Sequence, residues 1–244
     1  MKPKMILFDY GETLIHELGF EPVAGNQAIL NFATHIPEGI TAETIQEEAN
    51  CMKQDISDQF CYSHKDAQMI EIPAAMFQRY LYESVGVQFP KMEDYQLNQR
   101  LEELFWNHCS VGVPNPQVEE LLQNLKRLKI RTGVISNITI SGACLKKRLD
   151  RLLPEHDFEF VISSCDYLFR KPHPRIFQLA CTKSGLKPSD IWFCGDNPIC
   201  DVEGASKVGM RPVLFLDQKQ QDLELEKIRI QNWNQLVELI EESY

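Results

Sequence analysis

The chain has 244 residues, of which 43% are hydrophobic and 25% are charged, and its formal net charge is −10 at pH 7. A chain of this length can bury a sizeable core, so the fold requires neither disulfides nor a structural metal. The negative charge disfavours nucleic acids and anionic membranes as partners, but a locally positive site is still compatible with a small anionic substrate.

Five short apolar segments are typical of buried parallel strands, and helix-like stretches follow them. The predicted strands are Met5–Phe8, Thr132–Ile135, Phe158–Ile162, Ile191–Cys194 and Pro212–Leu216. The predicted helices among and after them are Val118–Leu128, Pro174–Ser184 and Trp233–Glu242. This alternation predicts an α/β fold built on a parallel sheet. In such sheets the active site lies at the carboxyl ends of the strands.

About 120 residues separate the first predicted strand from the second. A single crossover needs far less chain. The interval contains four helix-like segments, at Asn26–Thr34, Ala42–Cys61, Pro73–Val85 and Tyr95–Trp106. We therefore expect an inserted helical cap over residues 16–113, and a catalytic core formed by residues 1–15 and 114–244.

The eight cysteines include no C-x-x-C pair, which argues against a zinc site. The apolar start, Met5–Phe8, is too short for a signal peptide or a membrane span. We therefore expect a cytoplasmic protein with reduced cysteines.

Polar residues associated with phosphate chemistry follow the predicted strands at four sites. They are Asp9, Ser136 with Asn137, Lys171, and Asp196 with Asp201. Each site alone is more typical of a turn or a helix cap. Together they place a nucleophile, a hydroxyl donor, a cation and metal ligands at one edge of the sheet. Mg²⁺ prefers carboxylate and phosphate oxygens, and positive charge there would keep Asp9 ionised and stabilise a transferring phosphoryl group.

These motifs, in this order and with this gap, resemble those of haloacid dehalogenase superfamily hydrolases that carry a helical cap of the first type. The resemblance covers essentially the whole chain. It implies a doubly wound, Rossmann-like core, a mobile cap and a Mg²⁺ cofactor. It also implies a phosphatase-like activity on a small phosphate ester.

The resemblance also implies a role for each matched residue. Asp9 matches the nucleophile that forms an aspartyl-phosphate. Ser136 matches the hydroxyl that binds a phosphoryl oxygen, and Asn137 adds an amide donor for the substrate. Lys171 matches the catalytic lysine that pairs with the nucleophile and the phosphate.

The implied metal ligands are the side chains of Asp9, Asp196 and Asp201 together with the backbone carbonyl of Gly11. Asp201 is expected to hold either the waters of the metal or the lysine. Thr13 matches the small hydroxyl residue that closes the first loop.

Gly11 departs from the family pattern, because phosphatases of this type usually carry an acid/base aspartate there. General acid–base catalysis is typically worth about 10²–10⁴ in rate. Glu12 is a possible replacement acid, and His16 is a second candidate.

Gly11 leaves three alternatives to an ordinary phosphatase. One is a dehalogenase-like enzyme, which the retained Asp196 and Asp201 disfavour because that chemistry uses no metal. Another is a phosphonatase-like enzyme, for which Lys53 and Lys65 are the available cap lysines. The third is a weakly active member that binds a phosphorylated ligand. The insertion is long enough to cover its own site, which favours a monomer.

Overall fold

The computed structural model describes residues 2–59, 69–216 and 228–243. The strands within these ranges are β1 (Met5–Phe8), β2 (Ile15–Leu18), β3 (Val111–Pro114), β4 (Arg131–Ser136), β5 (Phe158–Ser163), β6 (Ile191–Gly195), β7 (Arg211–Phe215) and β8 (Ile228–Ile230). The α-helices are α1 (Pro22–Leu30), α2 (Ala42–Gln59), α3 (Ala74–Ser84), α4 (Asp94–Cys109), α5 (Val118–Arg127), α6 (Gly142–Leu152), α7 (Ser164–Tyr167), α8 (Pro174–Ser184), α9 (Gly204–Lys207) and α10 (Trp233–Glu241).

Six strands form one parallel sheet in the order β5-β4-β1-β6-β7-β8. The chain therefore builds outward from β1 in both directions, first through β4 and β5 and then through β6 to β8. This is the doubly wound arrangement that we expected, and it places the switch in strand order between β1 and β6.

Strand β1 shows why the sheet is covered on both faces. All four of its residues are buried. Ile6 and Phe8 belong to one hydrophobic cluster, and Met5 and Leu7 belong to another. Successive side chains of a strand point to opposite faces, so a continuous apolar run requires helices on both sides.

The five predicted strands are present, with ends that differ by at most one residue. The short strands β2, β3 and β8 and the helix α6 did not emerge from the sequence. The end of the predicted helix Ala42–Cys61 lies outside the described residues. No described helix combines the length and the hydrophobicity needed to cross a membrane.

Helices α1 to α4 lie in the predicted cap interval and share a hydrophobic core of their own. Strands β2 and β3 pair antiparallel, with Ile15 opposite Pro114. The two connections between the core and the cap thus run side by side. The domain limits stay a prediction, and we call residues 16–113 the cap.

A buried arginine of α6 ties these connections to the core. The Nη2 atom of Arg148 lies 2.6 Å from Glu17 Oε2, and its side chain is 2% exposed. Arg148 also donates hydrogen bonds to Tyr10 Oη at 3.1 Å, Asn107 Oδ1 at 3.1 Å and the Ser110 carbonyl at 3.2 Å. One guanidinium therefore joins β1, β2 and the end of α4.

Replacing Arg148 by methionine should lower the free energy of unfolding by roughly 3 kcal/mol, because Glu17 would keep a largely buried charge without its partner. Urea denaturation followed by circular dichroism measures this change. The double variant Glu17→Met/Arg148→Met should lose less than the sum of the two single changes.

Lys146→Met is the control, since Lys146 forms an exposed pair with Asp150 on the same helix. That variant should change stability by no more than about 0.5 kcal/mol. Equal losses for Arg148→Met and Lys146→Met would contradict a structural role for the buried pair.

Candidate active site

Three strand ends meet at the candidate site. Asp9 follows β1, Ser136 ends β4 and Asp196 follows β6, and β1 lies between the other two strands. The Asp9 N–H donates to the Cys194 carbonyl at 2.9 Å. The parallel sheet therefore brings together residues that are far apart in sequence, at the edge that we predicted.

Lys171 lies at the centre of the site. Its Nζ atom is 2.8 Å from Asp9 Oδ1 and 2.6 Å from Asp201 Oδ1, and its side chain is 1% exposed. Burial by itself would lower the pKa of Lys171, but the ion pairs with Asp201 and Asp9 outweigh it and raise the pKa above its usual value. Lys171 is therefore a permanent cation beside Asp9.

Asn137 holds the backbone that carries Lys171. Its Nδ2 donates to the Lys171 carbonyl at 2.8 Å, and its Oδ1 accepts from the Lys171 N–H at 2.6 Å. The sequence suggested Asn137 as a substrate donor only. The structure adds this positioning contact, while a bond from its second amide hydrogen to substrate stays a prediction.

Three carboxylates crowd around this cation. Asp9, Asp196 and Asp201 each offer an oxygen within 4.8 Å of the other two. Burial raises the pKa of Asp9 to about 7, against the opposing effect of Lys171. Burial, followed by repulsion from Asp201, also raises the pKa of Asp196. Burial is thus the largest cause of both pKa shifts, and repulsion between the neighbouring carboxylates adds to it.

This donor set fits the divalent cation that the sequence implies. Three carboxyl groups face one ammonium, so their ionised forms would leave an excess of negative charge. Mg²⁺ is held in proteins by one or two carboxylates with the remaining positions left to water and phosphate oxygens. Asp9 and Asp196 are the ligands that we expect, because Asp201 already binds Lys171 and accepts from the Asn197 N–H at 2.9 Å.

Asp201 reaches the site because Gly195 leaves room for it. Asp201 is fully buried in the π-helical turn Pro198–Glu203. A Cβ atom at Gly195 would come within 2.3 Å of Asp201 Oδ2, so no larger residue fits. Steric contact with Asp201 therefore explains why a glycine precedes Asp196.

The loop that follows β1 contains Gly11, the position where related phosphatases usually carry an acid/base aspartate. A Cβ atom built on Gly11 would have no neighbour within 4 Å, so an open space stands in that position. Glu12 adopts a left-handed φ of 53°, and its Oε2 lies 2.9 Å from His16 Nδ1. The two candidate acids thus pair with each other, and a catalytic role for Glu12 stays a prediction.

The cap touches the core next to Lys171, a contact that the sequence did not suggest. Arg170 Nη1 lies 2.7 Å from both carboxylate oxygens of Glu71, which also accepts from Ser164 Oγ at 2.5 Å. Ile70 forms a β-bridge with Phe169. Glu71 and Arg170 are 99 positions apart, so no local pattern marks them as partners.

Of the two cap lysines, Lys53 is the one that lies within the described residues. Lys53 lies on α2 and is exposed, and Lys65 lies outside the described residues. An exposed lysine lacks the burial that activates such a group for covalent chemistry.

Comparison with known proteins places this site in a family. Residues 3–209 match the family model of haloacid dehalogenase-like hydrolases. The chain is 25% identical over 242 residues to a glyceraldehyde 3-phosphate phosphatase of Methanocaldococcus jannaschii, covering 98% of this chain and 96% of that protein. It is 33% identical over 113 residues to the enzyme of the same name from Methanopyrus kandleri, covering 46% and 47% of the two chains. The alignment thus spans about half the length of the latter relative.

The fold has close counterparts among solved structures. The crystal structure of a 2-haloacid dehalogenase from Pseudomonas syringae pv. Tomato superposes with a TM-score of 0.63 at 22% identity, covering 99% of this chain and all of that one. An identity this low supports the fold alone. The family model extends over both the core motifs and the cap, and the chain belongs to the haloacid dehalogenase-like hydrolases.

Proposed function

We propose that this hydrolase is a Mg²⁺-dependent phosphatase that removes the phosphate of a small phosphorylated metabolite through an aspartyl-phosphate on Asp9. The carboxylate cluster around Lys171 carries the proposal. It combines a nucleophile, a fixed cation and an excess of negative charge suited to a metal. The phosphatase names of the relatives support the same reading.

In the first step, a carboxylate oxygen of Asp9 bonds to phosphorus while the phosphorus–oxygen bond to the alcohol breaks. The electron pair leaves with the alcohol oxygen, which takes up a proton from solvent water. Lys171 and Ser136 hold the phosphoryl oxygens, and Mg²⁺ at Asp9, Asp196 and the Gly11 carbonyl would supply further positive charge.

In the second step, a water oxygen attacks the phosphorus of the aspartyl-phosphate, the bond to the Asp9 oxygen breaks, and the attacking water gives up a proton to the solvent. Inorganic phosphate leaves, and the Asp9 carboxylate is restored. No side chain at position 11 supplies or removes a proton in either step. The enzyme should therefore favour leaving groups that depart as weakly basic anions, such as acetate or p-nitrophenolate.

A dehalogenase is the second candidate, because other relatives carry that name and Gly11 lacks the acid. An (S)-2-haloacid dehalogenase 4A of Burkholderia cepacia is 32% identical over 101 residues, covering 41% of that protein. The crowding of Asp196 and Asp201 beside Asp9 argues against it, since attack on carbon has no use for a metal-binding excess of charge.

Asp9→Asn should reduce Mg²⁺-dependent hydrolysis of acetyl phosphate and p-nitrophenyl phosphate by about 10³-fold or more, because an amide cannot form the covalent intermediate. Phosphate release measures the rate. Glyceraldehyde 3-phosphate and 2-chloropropionate complete the panel and separate the phosphatase from the dehalogenase.

Asp190→Asn is the matched control, since Asp190 lies at the opposite end of β6 and pairs with Lys4. It should leave the rate unchanged. Beryllium trifluoride with Mg²⁺ should bind covalently at Asp9 in a crystal structure. No Asp9-dependent release from any phosphate ester, or a fluoride adduct elsewhere, would contradict the proposal.

Gly11→Asp should accelerate hydrolysis of alkyl phosphates, whose leaving groups need a proton, by up to about 10²–10⁴-fold. Hydrolysis of p-nitrophenyl phosphate should change far less. The open space around Gly11 admits the Cβ atom of the new side chain, which would have no neighbour within 4 Å. The ratio of kcat values for the two substrates measures the effect.

Gly11→Asn separates chemistry from shape, since it introduces nearly the same side chain without an acid. It should leave that ratio unchanged. If the aspartate and asparagine variants behave alike, the missing proton donor does not limit the enzyme.

A further inference from the structure

A cavity of about 490 Å³ lies between the helices of the cap and a loop of the core. Its walls come from all four cap helices and from Ile138, Thr139 and Ile140. Nothing in the reaction at Asp9 by itself requires a cavity here.

The cavity adjoins the phosphate end of the site. Ile138 follows Ser136 by two residues, a span of at most about 7 Å along the chain. The Ala74 N–H of α3 donates to the Thr139 carbonyl at 2.8 Å, which holds the cap wall against this loop. A molecule whose phosphate binds at Ser136 can therefore extend toward the cavity.

The walls are mainly apolar, and the charged residue among them is Lys53 of α2, whose side chain is exposed. Phe77, Leu81, Phe105 and Trp106 line the cap side, and Ile138 and Ile140 line the core side. Burying apolar ligand surface against such walls is favourable, whereas a sugar-like chain of hydroxyls would lose its hydration without enough partners.

One polar atom in the wall has no partner. Gln78 is 6% exposed and lines the cavity, and its Oε1 lacks a hydrogen bond within the part of the chain that the structure describes. By contrast, Asn26 donates to Gln46 Oε1 at 3.1 Å and accepts from Tyr82 Oη at 2.9 Å. A buried acceptor without a donor is costly, so Gln78 marks where a ligand N–H or O–H would fit.

The size of the cavity limits the ligand further. An apolar cavity of about 150 Å³ is enough for benzene, and small-molecule sites span about 300–1,000 Å³. At about 490 Å³, this cavity has room for a bicyclic ring system, and a three-carbon chain would leave most of it unfilled.

We propose that the cap cavity binds the organic part of the substrate, and that this part is a mainly apolar, ring-sized alcohol with one hydrogen-bond donor facing Gln78. The inference rests on the proposed phosphatase activity and narrows its substrate class. The substrate is then a phosphate monoester larger and less polar than a triose phosphate.

The first test compares three phosphate compounds. Acetyl phosphate does not reach the cavity, whereas 3-indolyl phosphate and 1-naphthyl phosphate both fill it and differ in one N–H donor. Ala49→Phe places a ring in the cavity, since Ala49 lines it and is 5% exposed. The ratio of kcat/KM for the two bicyclic esters to that for acetyl phosphate should fall at least about 10-fold.

Glu48→Phe is the matched control, because it adds the same side chain on the exposed face of α2. It should leave the ratio unchanged. Gln78→Leu conserves volume and should remove the preference for the indolyl over the naphthyl ester. Tyr80→Leu, at an exposed position of the same helix, should retain that preference. If Ala49→Phe fails to fold, Gln78→Leu tests the proposal independently.

A binding measurement separates this inference from the proposed activity. Isothermal titration of metal-free protein with indole should show binding to the wild type and to Asp9→Asn, and at least about 10-fold weaker binding to Ala49→Phe. Asp9-dependent turnover of acetyl phosphate without indole binding, and with unchanged ester ratios, would overturn the cavity proposal alone. Indole binding without turnover of any ester would contradict the proposed phosphatase activity and the proposed substrate class. The cavity would then be a binding site for an apolar ligand.

Discussion

The ion pairs of Lys171 with Asp9 and Asp201 are the interaction on which the site depends. Two ionised carboxylates about 5 Å apart repel by about 3.5 kcal/mol at an effective dielectric constant of about 20, and three such groups lie within 4.8 Å of one another here. The buried ammonium offsets part of that repulsion, and Asn137 holds the backbone of Lys171 in place. The remaining negative charge is what makes the site suitable for a divalent cation.

The loop that carries Lys171 also contacts the cap. The residue before Lys171, Arg170, pairs with the buried Glu71 of the cap, and Ile70 bridges Phe169 on the same loop. A second buried pair, Glu17 with Arg148, anchors the two connecting strands to α6. The cap is thus attached to the core at its base and also beside Lys171, so the positions of the cap and of Lys171 are physically linked.

Gly11 and the cap cavity bear on different properties of the substrate. The open space at Gly11 bears on the leaving group, because no side chain there can provide a proton. The apolar cavity with the unpartnered Gln78 bears on the shape and polarity of the same leaving group. Gly11 favours an alcohol that departs readily, and the cavity favours a ring-sized, mainly apolar one. An aromatic alcohol satisfies both conditions, because its oxyanion is less basic than an alkoxide.

The sequence by itself determined the parallel sheet, because buried strands such as β1 are continuous apolar runs that local patterning reveals. It also placed Asp9, Ser136, Lys171 and the Asp196–Asp201 pair at one edge, since the carboxyl ends of parallel strands converge. Only the tertiary structure decided which side chains meet across the chain: Asn137 with Lys171, Glu71 with Arg170, and Glu17 with Arg148. The tertiary structure also decided the pairing of β2 with β3 and the presence of the cap cavity. Each of these features depends on contacts between residues far apart in sequence, and local periodicity does not predict such contacts.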